Sequence, residues 1–133
     1  MIAGVADTHT AVWYLFNDAR LSAKAGDFIE EAAVQARRII VSAISLAEVV
    51  YLIEKNRLPH GAYADLSAAL ANPDHVLKEI AFTSEIVDVM RQISRADVPD
   101  MPDRIVAATG LYLGVPVISR DGKIRASNVE TVW

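Results

Sequence analysis

A chain of 133 residues, 53% hydrophobic and 23% charged, suits one compact domain and leaves no room for a second core. It contains no cysteine, which excludes a disulfide framework and any thiolate metal site, and no apolar run long enough to cross a bilayer. Seventeen acids against thirteen bases give a formal charge of −4, the wrong average sign for gripping phosphates, so a polyanion would have to be met by local bases.

The opening MIAGVAD lacks the basic start and apolar middle of a signal peptide, and the expected location is the cytoplasm. Residues 1–6 read as a buried first strand ending at Asp7. In THTAVWYLFND, Val12, Leu15 and Phe16 fall at helical spacing. Ser22 is placed to cap a second helix with Phe28, Ile29 and Ala32 facing inward. RIIVSAI is a β-branched strand, and Ser45 is expected to open a third helix whose apolar face is Leu46, Val49, Val50 and Ile53.

A fourth helix is expected over 61–72, closed by Asn72-Pro73, then a strand in HVLKEIAF. TSEIVDVMRQISRA carries Ile86, Val89, Met90 and Ile93 at helical spacing. DRIVAATGLYLG is a helix ended by Gly114, VPVIS a short strand, Asp121-Gly122 a turn, and ETVW a last strand at an edge. Strands alternating with helices predict right-handed crossovers: a three-layer α/β/α sandwich with a mostly parallel central sheet, built from residues 1–133 as one domain.

Ligands in such sheets sit beyond the carboxyl ends of the strands, which makes the acids there informative. Asp7 follows the first strand, and Glu48 is expected in the first turn of the third helix. Asp103 lies in the first turn of the helix before VPVIS, and Asp121 two residues beyond VPVIS. Carboxylates so gathered repel unless neutralised, and a hard divalent cation with oxygen ligands is the natural counter-charge for phosphodiester chemistry. Each acid also has a local reading. Asp7 suits a helix cap, and Ser45-Leu46-Ala47-Glu48 matches a capping box. Asp103 suits the helix dipole behind a capping Asp100, and Asp121-Gly122 suits a turn. Their joint placement favours a site.

Thr8 and Ser119 flank that site and are candidates to touch a carboxylate, a metal water or substrate. Arg104 and Arg120 are candidates to steer a nucleic-acid backbone. Arg120, Lys123 and Arg125 form the best candidate for a basic patch. Trp13, Tyr14 and Tyr112 read as core or dimer contacts; His9, two positions from Asp7, reads as structural or solvent-facing, with a substrate contact as the alternative; and His60 and His75 sit in connecting segments with no partner spacing. Phosphate-binding loops, dinucleotide fingerprints, nucleophile elbows and zinc motifs are all absent.

Four segments together, ADTHTAVWYL, VSAISLAEVVYLI, PDRIVAATG and VISRDGKI, resemble the PIN-domain family, particularly its VapC-type toxins. The resemblance spans nearly the whole chain. It implies an endoribonuclease needing Mg²⁺ or Mn²⁺, one or two ions per site, with Asp7, Glu48, Asp103 and Asp121 as its catalytic, metal-binding acids. The reaction it implies is hydrolysis of RNA to a 5′-phosphate and a 3′-hydroxyl. It further implies a homodimer and a cognate antitoxin that covers the site. Two alternatives stand beside it. One is a receiver-like phosphoacceptor domain, which usually carries paired acids after the first strand where this chain has Asp7-Thr8-His9. The other is a catalytically inert PIN-like binding module.

Overall fold

The computed structural model describes residues 1–133. Five strands, β1 (Ile2–Ala6), β2 (Arg38–Ser42), β3 (Leu77–Ile80), β4 (Val117–Ile118) and β5 (Thr131–Val132), pair in the order β3-β2-β1-β4-β5. Every pairing is parallel. A parallel neighbour requires a crossover, and seven helices supply them: α1 (Thr8–Leu15), α2 (Ala23–Val34), α3 (Ala43–Glu54), α4 (Ala62–Ala71), α5 (Ser84–Met90), α6 (Met101–Leu113) and α7 (Gly122–Ala126). The three-layer α/β/α architecture expected from the alternation is the one observed. The sheet is wholly rather than mostly parallel.

Side chains alternate between the two faces of the sheet. Ala6, Ile39, Val41 and Ile118 enter one core with Val12, Ile29, Val49 and Leu66 from the first four helices. Val5, Ile40 and Val117 enter the other with Ile86, Val106 and Ile124 from the last three. The order also separates this fold from a receiver domain, whose strands run 2-1-3-4-5. Here the chain builds outward from β1 to β3 and then returns to the other side of β1 for β4. The direction of winding reverses between β1 and β4, and a crevice opens beyond their carboxyl ends.

Several local expectations are corrected. The third helix begins at Ala43, capped by Ser42, whose Oγ accepts from the Ile44 N–H at 3.2 Å. β2 feeds straight into it, so Ser45 is buried inside the helix and no capping box forms with Glu48. Val50 is exposed rather than core, whereas Val49 is fully buried. α5 stops at Met90, yet Ile93 beyond it is still buried. Asp121-Gly122 starts α7 instead of forming a free turn. Tyr112 faces outward. Ser22 caps α2 and Gly114, at φ 68°, closes α6, both as expected.

α6 is deeply set in the structure, with Ile105 through Gly110 all buried. It lies close against β4: a Cβ on Gly110 would sit 2.6 Å from Val117 Cγ2 and 3.2 Å from the Val115 carbonyl oxygen. Val117 is completely buried and β-branched, so it has no free rotamer into which to retreat. Gly110→Ala should therefore destabilise the protein by about 1–3 kcal/mol, despite alanine's better helix propensity. Urea unfolding measures this; a variant as stable as the parent would show that the α6–β4 approach is looser than described.

Candidate functional site

The sheet reversal places the residues after β1 and β4 side by side. Asp7, directly after β1, caps α1: its Oδ1 accepts from the Thr10 N–H at 2.8 Å. Its Oδ2 accepts from Ser119 Oγ at 2.5 Å, and Ser119, directly after β4, is completely buried. The same Ser119 Oγ accepts from the Asp121 N–H at 3.0 Å. One hydroxyl thus ties two acids from different strands into one relay. Both Asp7 and Asp121 are caps as well, since Asp121 Oδ1 accepts from the Lys123 and Ile124 N–H groups. For Asp121 the cap occupies only one carboxylate oxygen, so capping and site roles are not exclusive.

Glu48 is the sixth residue of α3, not a first-turn residue. Thr8 Oγ1 lies 2.5 Å from Glu48 Oε1 and 2.9 Å from Ser45 Oγ. A carboxylate can only accept, so the Thr8 proton goes to Glu48 and Ser45 donates to Thr8. Ser45 thereby holds the hydroxyl that holds Glu48. Asp100 caps α6, its Oδ1 accepting from the Asp103 N–H at 3.1 Å.

Asp7, Glu48, Asp100, Asp103 and Asp121 all line one open cleft of about 420 Å³. None of the five is in an ion pair; the chain's two salt bridges, Arg20–Asp18 and Arg91–Asp88, involve other acids. The strain of this arrangement collects on Asp103, which is half-buried. Burial, and then the charges of Asp100, Asp121, Glu48 and Asp7, push its pKa up to about 7. No three of the acids converge tightly enough to cage an ion by themselves. A donor set of this kind, all carboxylate, uncompensated and spread around a cleft, suits a hard cation such as Mg²⁺, which is held by one or two carboxylates and keeps several waters.

The remaining candidates divide. Thr8 and Ser119 are buried with their hydroxyls committed to the acids, which places them to orient carboxylates rather than to meet substrate. Arg104 does not enter the cleft: it donates to the Ile93 and Met90 carbonyls at 2.9 and 3.0 Å, bracing the end of α5 against α6. Arg120 does line the cleft, whereas Lys123 and Arg125 do not. The cationic side of the site is instead Arg20, Arg57 and Arg120, from three separate loops, with Trp13 beside them. Spacing gave no warning of Arg20 or Arg57. The one legible hint for Arg57 was its place just past the helix bearing Glu48, where Asn56 turns the chain at φ 56°.

The model of the PIN domain family matches residues 5–128. A curated relative, Ribonuclease VapC22 of Mycobacterium tuberculosis, is 28% identical over 130 residues, covering 96% of this chain and 95% of that one. Among solved structures, VapBC2 from Rickettsia felis bound to a DNA fragment from its promoter superposes with a TM-score of 0.70 at 17% identity. The match covers 98% of this chain and 97% of that one. A toxin–antitoxin complex from Klebsiella pneumoniae gives a TM-score of 0.62 at 20% identity, covering 98% and 97%. At these identities the structural matches speak for the fold.

The raised pKa of Asp103 has a thermodynamic consequence. Between about pH 4 and 7 the folded chain holds a proton that the unfolded chain has released, so the stability of the metal-free protein falls as pH rises through that window. Asp103→Asn should remove this slope and raise Tm by on the order of a few degrees at pH 8, where the parent carries the full repulsion. Calorimetry of both proteins at pH 5 and pH 8 measures it. Parallel pH profiles for the two would show that Asp103 does not carry the repulsion.

Proposed function

The chain belongs to the PIN domain family, and from that premise we propose that it is a metal-dependent endoribonuclease that hydrolyses RNA phosphodiesters as the toxin of a toxin–antitoxin pair. The observation that carries the reading is the cleft in which five acids face one another without a basic partner, one of them with its pKa displaced to about 7. A structural ion network would have been neutralised internally; this one is left for a cation from outside.

Mg²⁺ or Mn²⁺, one or two ions per site, would be held by Asp7, Glu48 and Asp103, with Asp121 and Asp100 completing the set directly or through water. A divalent cation bound there supplies a water of lowered pKa and neutralises the charge that builds on the phosphate. The chain's own contribution is positional. Ser119 fixes Asp7 relative to Asp121, and Thr8, backed by Ser45, fixes Glu48, so the carboxylates enter the reaction already oriented. Water attacks phosphorus in line, the bond from phosphorus to the 3′-oxygen breaks, and a proton passes to that oxygen. The products are a 5′-phosphate and a 3′-hydroxyl, with no covalent enzyme intermediate.

The relatives whose names include VapC or VapBC, and those solved as toxin–antitoxin complexes, support a cognate antitoxin as partner for this chain too. We further infer that the 133 residues act as a single PIN-like domain, that two copies pair as a homodimer, and that it works in the cytoplasm. No helix is long and apolar enough to cross a membrane.

Asp7→Asn and Glu48→Gln should each lower RNA cleavage in Mg²⁺ by at least about 100-fold while leaving the fold intact. Ser119→Ala, which touches the site only through Asp7 and Asp121, should cost about 10–100-fold. Chelation with EDTA should abolish the parent's activity and Mn²⁺ restore it. Labelled RNA on gels, with circular dichroism to verify folding, reads all of these. Undiminished cleavage by both folded acid variants would overturn the assignment, and a parent that binds RNA and Mn²⁺ but never cuts would identify an inert PIN-like module.

A further inference from the structure

The cleft holds three arginines in unlike states. Arg20 is spent: its Nε and Nη2 donate to Asp18 at 3.0 and 2.8 Å, and that pairing holds the Asp18 carboxyl down at about 2. Arg57 and Arg120 form no salt bridge, although five acids line the same cleft. Arg120 instead lies over the ring of Trp13, with its guanidinium carbon 4.7 Å from the ring centroid. Trp13 is 4% exposed and is fixed by aromatic neighbours, His9 at 5.4 Å and Trp133 at 6.1 Å between ring centroids. Its indole Nε1–H is buried without an acceptor, so the ring offers this corner its face and not a hydrogen bond.

A guanidinium held over an aromatic face is pre-organised while keeping N–H donors for an oxyanion. In a chain of net charge −4, whose cleft floor repels phosphate, such unspent cations are where a polyanion can be gripped. We propose that Arg120, seated over Trp13, and Arg57, just beyond the end of α3, form a phosphate subsite beside the acids that binds the backbone linkages flanking the one to be cut. Arg120 and Arg57 are the ligands; Trp13 is a positioning residue acting through Arg120; Arg20 is a fixed support for the ring, its carbon 5.1 Å from the same centroid. The inference rests on the endoribonuclease reading for the identity of the polyanion. It adds that a phosphate next to the cleaved linkage is part of the recognised substrate.

Equilibrium binding of a labelled RNA oligonucleotide, followed by anisotropy in Ca²⁺ across a salt series, tests it separately from cleavage. Each lost phosphate contact on a single strand should flatten the slope of log K against log salt by about 0.7. Arg120→Ala and Arg57→Ala should each show that change. Arg20→Ala should leave the slope unaltered. Trp13→Leu should weaken binding only while Arg120 is present, and Arg120→Lys should recover little, because an ammonium lacks the planar fork. In Mg²⁺, Arg120→Ala should raise KM about 10-fold with kcat nearly unchanged. Replacing one flanking linkage by an uncharged methylphosphonate should penalise the parent but not Arg120→Ala.

Unchanged salt slopes in both Arg120→Ala and Arg57→Ala, or equal methylphosphonate penalties in parent and Arg120→Ala, would overturn the subsite even if RNA is cut normally. Altered slopes in a protein that never cleaves RNA would leave the subsite standing and remove the nuclease reading instead.

Discussion

Like-charge repulsion across a single cleft is the constraint to which the rest of this structure answers. Asp7, Glu48, Asp121 and the Asp100–Asp103 pair at the start of α6 come from four different stretches of chain and meet with no arginine or lysine paired to any of them. Folding ordinarily avoids such an arrangement, because every carboxylate added makes the next harder to ionise. Here the repulsion is distributed unequally. Asp7, Asp100 and Asp121 accept backbone N–H bonds at helix starts, and Glu48 accepts from Thr8. The Asp103 carboxylate accepts no hydrogen bond, and burial together with the neighbouring charges pushes its pKa up to about 7.

The way the acids are held explains why the site can be rigid without being neutral. A capping aspartate spends one oxygen on backbone donors at the positive end of a helix, which steadies the charge and fixes the side chain at once. In Asp7 the second oxygen is bound by Ser119, whose hydroxyl also receives the backbone N–H of Asp121. That one side chain spans the junction of β1 and β4, where the winding of the sheet reverses. The close approach of α6 to β4 at Gly110 then helps set where Asp100 and Asp103, both at the start of α6, stand relative to the other three. Packing in the core and placement of charge at the rim are therefore coupled through one helix and one strand.

The cations around the cleft follow the opposite logic. They are kept apart from the acids, one by pairing elsewhere with Asp18 and one by lying over Trp13. An acidic chain can in this way present positive charge at the edge of a negative floor without the two cancelling. The basic residues that cluster in sequence, Lys123 and Arg125, do not take part. Those that do are far apart along the chain.

The order of residues along the chain is enough to read off the alternation of strands and helices, a mostly parallel sheet, and the presence of acids at one rim. These rest on local periodicity and on the rule that parallel strands send all their carboxyl ends the same way. It was also enough to mark Asp7, Glu48, Asp103 and Asp121, which the structure brings to one cleft. What touches each of them follows from packing in three dimensions. The S-x-x-E pattern at Ser45 is locally a good capping box, yet β2 runs directly into α3 and the cap falls on Ser42, which frees Ser45 to work behind Thr8. Arg104 beside Asp103 looked like part of the site, yet it turns to the carbonyls ending α5, while Arg57 and Arg20 enter from loops with no pattern. Hydrogen-bond partners across a sheet depend on strand order and on where a helix actually starts, and neither is encoded in the spacing of residues along one segment.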